Sequence, residues 1–242
     1  MEGLTRVRNR HFKQPSTKRW ETAGIAIVAV VALVVCGIAL FRTEPLPATG
    51  SMPTWTWSPS IPKPSPVAVF LGDSYTQGGD VWTSLVSAKQ GWREVNLGRG
   101  GTGYVATSSQ QGCGLNYCPK YDEMIPEAVK AKPDVVVVAG GRNDGSADAK
   151  AIRTFYQDLR TQLPNAKIYA ISPLWASGET PAFIVAQGQD VKASVEAVGG
   201  TFLDVGQPFK GRPDLISSDA VHPNEAGYKV LGEDVLRLLG SG

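Results

Sequence analysis

The stretch VAVFLGDSYTQGG, residues 67 to 79, runs as an apolar strand into a Gly-Asp-Ser turn that leaves Ser74 in a position to present a hydroxyl. A serine hydroxyl becomes a nucleophile only beside a base that takes its proton. Histidine occurs twice in the chain, and His11 lies in a basic N-terminal tail, so His222 in DAVHPN (219–224) is the imidazole available to the rest. Asp219, three residues earlier, can accept the hydrogen bond that fixes its tautomer. Two further segments offer donors to a developing oxyanion. NLGRGGTGY (96–104) can offer a backbone amide, with Gly101 as the candidate, and GGRNDG (140–145) the side-chain amide of Asn143. Losing one such donor typically costs ~10²- to 10³-fold in turnover.

Each segment has a plainer reading. A serine at a helix start is commonly an N-cap, a histidine before the last helix can be a capping residue, and Asn-Asp-Gly is a common turn. Gly98, Gly100 and Gly103 also spell G-x-G-x-x-G, the dinucleotide fingerprint, with Asp122 following at about the expected twenty residues. YDEMIPEAVK (121–130) reads as a helix, however, whereas the fingerprint wants Asp122 at the end of a second strand.

The elements that must position these residues alternate. Strands are expected at 67–72, 93–98, 134–141, 166–174 and 201–206, each β-branched or apolar and bounded by glycine or proline. Apolar residues three and four apart mark helices at 81–90, 147–163, 182–199 and 224–239. Short apolar strands separated by helices argue a three-layer α/β/α sandwich around a five-stranded parallel sheet, within residues 67–242. In such a sheet sites gather at the carboxyl ends of the strands, which is where Ser74 would lie.

Taken together, GDSYTQG, NLGRGGTG, GGRND and DAVH resemble the four blocks of the SGNH hydrolase superfamily, or GDSL-type esterases. The resemblance covers residues 67–242 and implies a flavodoxin-like fold and a serine esterase. It implies Ser74 as nucleophile, His222 as base and Asp219 as its orienting acid, with the Ser74 amide, the Gly101 amide and the Asn143 side chain as oxyanion hole. Two positions depart from the usual pattern: Tyr75 replaces the leucine of the namesake motif, and Arg142 stands where small residues are frequent. Tyr75, Tyr104, Arg142 and Trp175 are candidates for substrate contact. No G-x-S-x-G elbow is present, which disfavours an α/β-hydrolase.

The remaining sequence bounds location and partners. Residues 1–22 form a tail with six Lys and Arg, followed at 23–41 by nineteen residues without a charge. That length suits a membrane-spanning helix, and the cations place its N-terminus in the cytoplasm. We expect an uncleaved signal anchor and an extracytoplasmic domain, the alternative being a cleaved signal peptide and secretion. Residues 42–66 form a linker with seven prolines. From residue 67 onward 16 Lys and Arg face 19 Asp and Glu, so a nucleic-acid partner is not expected. Cys113 and Cys118 are the two cysteines beyond the apolar segment and are expected to pair as a disulfide, their C-x₄-C spacing differing from the C-x-x-C of redox motifs. No metal or other cofactor is implied. The glycine-, serine- and threonine-rich segments around the blocks favour hydrolysis or transfer of short acyl esters of a polar alcohol, such as an envelope glycan, the alternatives being a tethered glycan-binding protein of the same fold with little turnover or a lipase on longer acyl chains. Oligomeric state is not set by the sequence.

Overall fold

The computed structural model describes residues 63–79 and 81–240. The expected cytoplasmic tail, membrane anchor and most of the linker lie outside these residues. No helix among the described residues is long and apolar enough to cross a membrane.

Five strands, β1 (Val67–Gly72), β2 (Arg93–Gly98), β3 (Val135–Ala139), β4 (Lys167–Ile171) and β5 (Thr201–Leu203), form one sheet in the order β2-β1-β3-β4-β5. All four pairings are parallel. The helices are α1 (Trp82–Gln90), the single turn α2 (Gln110–Cys113), α3 (Tyr121–Lys130), α4 (Ala149–Gln162), α5 (Ala182–Ala197) and α6 (Glu225–Leu239).

Two-residue alternation along the strands divides the core into two layers. Val69, Leu71, Val136 and Val138 face α3, α4 and α5 through Tyr121, Ile125, Phe155, Leu159 and Val191. Ala68, Phe70, Val135 and Val137 face α1 and α6 through Trp82, Val86, Leu231 and Val235. Phe70 meets Trp82 edge to face at 5.5 Å. Both faces of the sheet are therefore covered, which is why β3 reads as an uninterrupted run of valines.

Three strands stop earlier than the sequence suggests, each for a local reason. β3 ends before Gly140 and Gly141, whose φ of 143° and 102° turn the chain out of the sheet. β4 ends before Pro173, which has no N–H to give to a ladder. β5 ends where the Asp204 carboxylate accepts from the Gly206 N–H and starts a turn. The expected helices at 147–163 and 182–199 are likewise shorter, at 149–162 and 182–197.

The ends of β1, β2 and β3 are level. Gly72 pairs with Gly98 on one side and with Ala139 on the other. The GDSY turn, the glycine-rich loop and the GRND turn thus leave the sheet side by side.

Candidate active site

The first block forms a turn, and α1 begins only at Trp82 with Val81 at its N-cap, so Ser74 does not cap a helix. The Asp73 carbonyl accepts from the Thr76 and Gln77 N–H groups, and the Asp73 carboxylate accepts from the Tyr75 N–H at 3.0 Å. These bonds hold the turn closed around Ser74, which is half-buried. The Ser74 N–H donates to none of the described residues.

The glycine-rich loop is set by polar ties that its sequence did not advertise. The Asn96 side chain, at the end of β2, donates to the Thr76 carbonyl at 2.7 Å and accepts from the Gly98 N–H at 2.8 Å. The Gln77 side chain accepts from the Gly100 N–H. Gly101 adopts φ +76°, and a Cβ there would come within 2.6 Å of the Ser108 hydroxyl. Its N–H, like that of Ser74, donates to none of the described residues. Behind the loop, Cys113 and Cys118 are joined in a disulfide, and Ser108 pairs with Cys118 as an isolated bridge. This covalently closed lobe packs against Gly100 through the Gly112 carbonyl.

The third block is a single 3₁₀ turn, Arg142–Asp144. The Asn143 side chain donates one N–H to the Thr102 carbonyl at 2.9 Å. An amide nitrogen has two N–H groups, so the second stays free for another acceptor. Asp144 is the clamp of the region. Its carboxylate accepts from the Tyr104, Val105 and Ala106 N–H groups at 3.2, 3.0 and 2.9 Å and from the Gln187 side chain at 2.7 Å. Gly103 is close-packed on that carboxylate, leaving no space for a Cβ. The second block is therefore tied to the third twice over.

The last block is the most completely formed. Asp219 Oδ2 meets His222 Nδ1 at 2.6 Å, while Oδ1 accepts from the Ser217 hydroxyl and from the N–H groups of Val221 and His222. Ala220 takes φ +58°, the left-handed turn that lets the carboxylate reach the two residues that follow. The hydrogen bond from His222, then that from Ser217 and the two backbone donors, hold the Asp219 carboxyl well below the usual carboxylate range. Asp219 therefore stays ionised through mildly acidic pH and accepts the Nδ1 proton, which in the neutral ring leaves the lone pair on Nε2. The helix cap expected of a loop histidine is supplied instead by Asn224, whose side chain accepts from the Gly227 N–H at 3.0 Å.

Ser74 and His222 share no hydrogen bond in the structure, but the two blocks are joined through the neighbour of the serine. The Tyr75 hydroxyl donates to the Val221 carbonyl at 2.5 Å, and the Tyr75 ring packs 5.9 Å from the His222 ring.

Two of the expected substrate contacts are corrected. Tyr104 is buried at 4% exposure, pairs hydroxyl to hydroxyl with Tyr156 at 2.9 Å and packs on Tyr121 and Phe155, so it is a core residue. Tyr75 is 3% exposed with its hydroxyl spent, and burial pushes that hydroxyl up to about 12. It positions the loop of His222. Trp175 and Arg142 are half-buried at the same edge. The dinucleotide reading also fails on geometry: residues 99–109 form a loop rather than a helix start, and Asp122 sits in the first turn of α3, paired with Lys120.

Comparison with known proteins bears on the family and the fold. A model of the GDSL-like lipase/acylhydrolase family matches residues 70–230. The chain belongs to this family. It is an SGNH-type serine esterase, a hydrolase of acyl esters. A GDSL lipase of Mycobacterium tuberculosis is 29% identical over 193 residues, 72% of this chain and 81% of the lipase. A catalytic mutant of an acetylxylan esterase from Geobacillus stearothermophilus shares the fold at TM-score 0.52 and 21% identity, over 72% of this chain and 94% of that one. A psychrotrophic esterase from Pseudoalteromonas sp. does so at TM-score 0.55 and 16% identity, over 72% and 97%.

Asp73 generates a pH prediction. It is fully buried, and desolvation pushes its carboxyl from 3.8 up to about 6. The folded state therefore binds this proton more tightly than the unfolded chain. The stabilising contribution is complete below pH 3.8 and is lost as pH rises towards 6, a change of order 3 kcal/mol at ~1.4 kcal/mol per unit. Asp73→Asn should flatten this part of the stability profile in urea unfolding measured from pH 4 to 7. Parallel profiles for the two proteins would assign the slope elsewhere.

Proposed function

We propose that Ser74 is the nucleophile, His222 the general base and Asp219 the acid that orients it, acting on short O-acyl groups of a polar alcohol such as a glycan. The observation that carries this reading is the Asp219–His222 hydrogen bond on a loop joined by Tyr75 to the turn of Ser74. His222 Nε2 takes the hydroxyl proton as Ser74 Oγ bonds to the ester carbonyl carbon, whose oxygen becomes an oxyanion. The Ser74 and Gly101 N–H groups and the second N–H of Asn143 are the donors left free to receive it. The intermediate collapses, the carbon–oxygen bond to the alcohol breaks, and His222 returns its proton to the departing oxygen. Water then gives a proton to His222, attacks the acyl carbon and displaces Ser74 Oγ, which recovers the proton. A second alcohol in place of water would make the reaction an acyl transfer.

The short-acyl preference rests on the polar surroundings of the blocks. Gly101, Asn143 and Arg142 offer little apolar surface, and each extra buried methylene would be worth ~0.8 kcal/mol only if such surface met it. One observation favours longer chains. A cavity of about 290 Å³ at the ends of β4 and β5, lined by Pro173, Ile184, Val185 and Phe202, also contains Gln207, whose side chain accepts from the Trp175 N–H. It offers the apolar room that a longer acyl chain would need.

The domain is further proposed to be held outside the cytoplasm by residues 23–41 through the linker at 42–66, with the Cys113–Cys118 disulfide persisting in that oxidising compartment.

With the full chain in detergent, Ser74→Ala and His222→Ala should each lower p-nitrophenyl acetate hydrolysis by about 10⁴-fold or more at unchanged thermal stability, and Asp219→Ala by less. Retention of most of the rate by Ser74→Ala would refute the assignment. Specificity constants along p-nitrophenyl esters from acetate to palmitate should fall beyond about four to six carbons. A maximum at decanoate or longer would select the lipase reading. Protease added to intact spheroplasts should release an active domain and leave the N-terminal tail protected. A soluble active form present before any protease would show a cleaved signal peptide instead.

A further inference from the structure

Arg142 is a charged group at the site edge that ester hydrolysis itself does not use. Its guanidinium carbon lies 4.7 Å from the centroid of the Tyr75 ring and 4.7 Å from that of Trp175, so the cation is held between two aromatic faces. Both rings are held. Tyr75 is anchored by its hydroxyl on the Val221 carbonyl, and Trp175 by edge contact of its ring with Phe183 at 6.0 Å and by its backbone N–H on the Gln207 side chain. A long, rotamer-rich side chain is thereby fixed before any ligand arrives, which removes most of the entropy cost of using it.

No carboxylate among the described residues forms an ion pair with this cation. The nearby acids are committed elsewhere. Asp144 is spent on three backbone N–H groups and Gln187, Asp219 on His222 and Ser217, and Asp73 is buried on the Tyr75 N–H. The guanidinium lies 3.4 Å through Nη1 from the Val221 carbonyl and beside the Tyr75 hydroxyl, and remains half-exposed. A guanidinium has five donors in a planar fork suited to an oxyacid anion, and most of these are unspent.

Its placement says which part of the substrate it faces. Val221 immediately precedes His222, and Tyr75 packs on the His222 ring, so Arg142 lies on the flank of the imidazole. The base returns its proton to the departing alcohol, so that flank belongs to the alcohol, while the free amides of Ser74 and Gly101 belong to the acyl oxygen. We propose that Arg142 is a specificity residue that selects esters whose alcohol portion carries an anionic oxyacid group, a carboxylate or a phosphate. This rests on the catalytic reading given above and adds the charge of the alcohol to it.

The test compares, with the full chain in detergent, neutral methyl 4-acetoxybenzoate, anionic 4-acetoxybenzoate and 4-acetoxyphenyl phosphate, and mono-p-nitrophenyl succinate, whose charge is on the acyl side, against p-nitrophenyl acetate. At low salt kcat/KM should favour at least one anionic alcohol over the neutral ester by about tenfold or more, as expected of a charge-assisted pair, and the preference should shrink towards unity in about 0.5 M salt. Which of the two anions is preferred separates carboxylate from phosphate. Arg142→Gln should collapse that ratio, mainly by raising KM for the anionic ester, and Arg142→Lys should restore part of it. No anionic preference in the wild-type protein overturns the proposal, as does an Arg142→Gln ratio equal to wild type, which would mean a purely structural side chain. A preference for the succinate alone overturns the assignment to the alcohol. Hydrolysis of the neutral esters lost in Ser74→Ala upholds the catalytic reading independently of these ratios, and its persistence would bring down both.

Discussion

The site depends on one constraint, the parallel register that stops β1, β2 and β3 at the same level. Gly72 pairs with Gly98 and with Ala139, so three loops far apart in sequence start side by side. Register alone brings them only to a common edge. The angstrom-level arrangement comes from a few polar side chains that span the loops: Asn96 onto the first turn, Gln77 onto Gly100, Asn143 onto Thr102 and Asp144 onto residues 104–106. Each saturates backbone groups that a loop would otherwise leave to water. What remains unsaturated is informative, because the Ser74 and Gly101 N–H groups have no partner among the described residues while those of Tyr75, Gly100 and Thr102 beside them do.

Three aspartates show how environment assigns tasks to one side-chain type. Asp219 is half-exposed and surrounded by donors, which keeps it ionised and makes it a fixed acceptor for His222. Asp144 gives four acceptor contacts to loop and helix and acts as a structural anion. Asp73 is buried with Oδ2 lacking a hydrogen-bond partner, and it is destabilised as an anion by desolvation. An acid that costs stability next to the proposed nucleophile is retained for what it holds, namely the Tyr75 N–H and hence the turn of Ser74.

The sequence makes the local features legible and leaves the long-range ones hidden. β1, β2 and α3 match their expected bounds because apolar runs bounded by glycine, or apolar residues at helical spacing, are decided within a few residues. The pairing of Asp219 with His222 is similarly local. By contrast, Gln77 meets Gly100, and Asp144 meets Tyr104 and Gln187, only after the sheet has formed, and no spacing rule carries that information. Tyr104 misleads for a related reason. An aromatic in a glycine-rich loop looks free to stack on a ligand, yet the loop turns it inward, where Tyr156 satisfies its hydroxyl. Ser217, two residues before Asp219, is a signal that was present in SSDAVH and is intelligible only once its hydroxyl is seen on the carboxylate.

The departure at Tyr75 shows how a single substitution in a signature motif can reorganise one side of a site. A leucine there would fill the same apolar space against Phe209, which Tyr75 meets at 6.1 Å. It would supply neither the hydroxyl that reaches the Val221 carbonyl nor the π face over which Arg142 lies. The first adds a tie between the turn of Ser74 and the loop of His222, and the second adds an attraction for a guanidinium that aliphatic carbon cannot provide. The two departures from the family pattern, Tyr75 and Arg142, are therefore physically coupled. The tyrosine stiffens the link between two proposed catalytic blocks, and the same ring makes a fixed positive charge tolerable beside them.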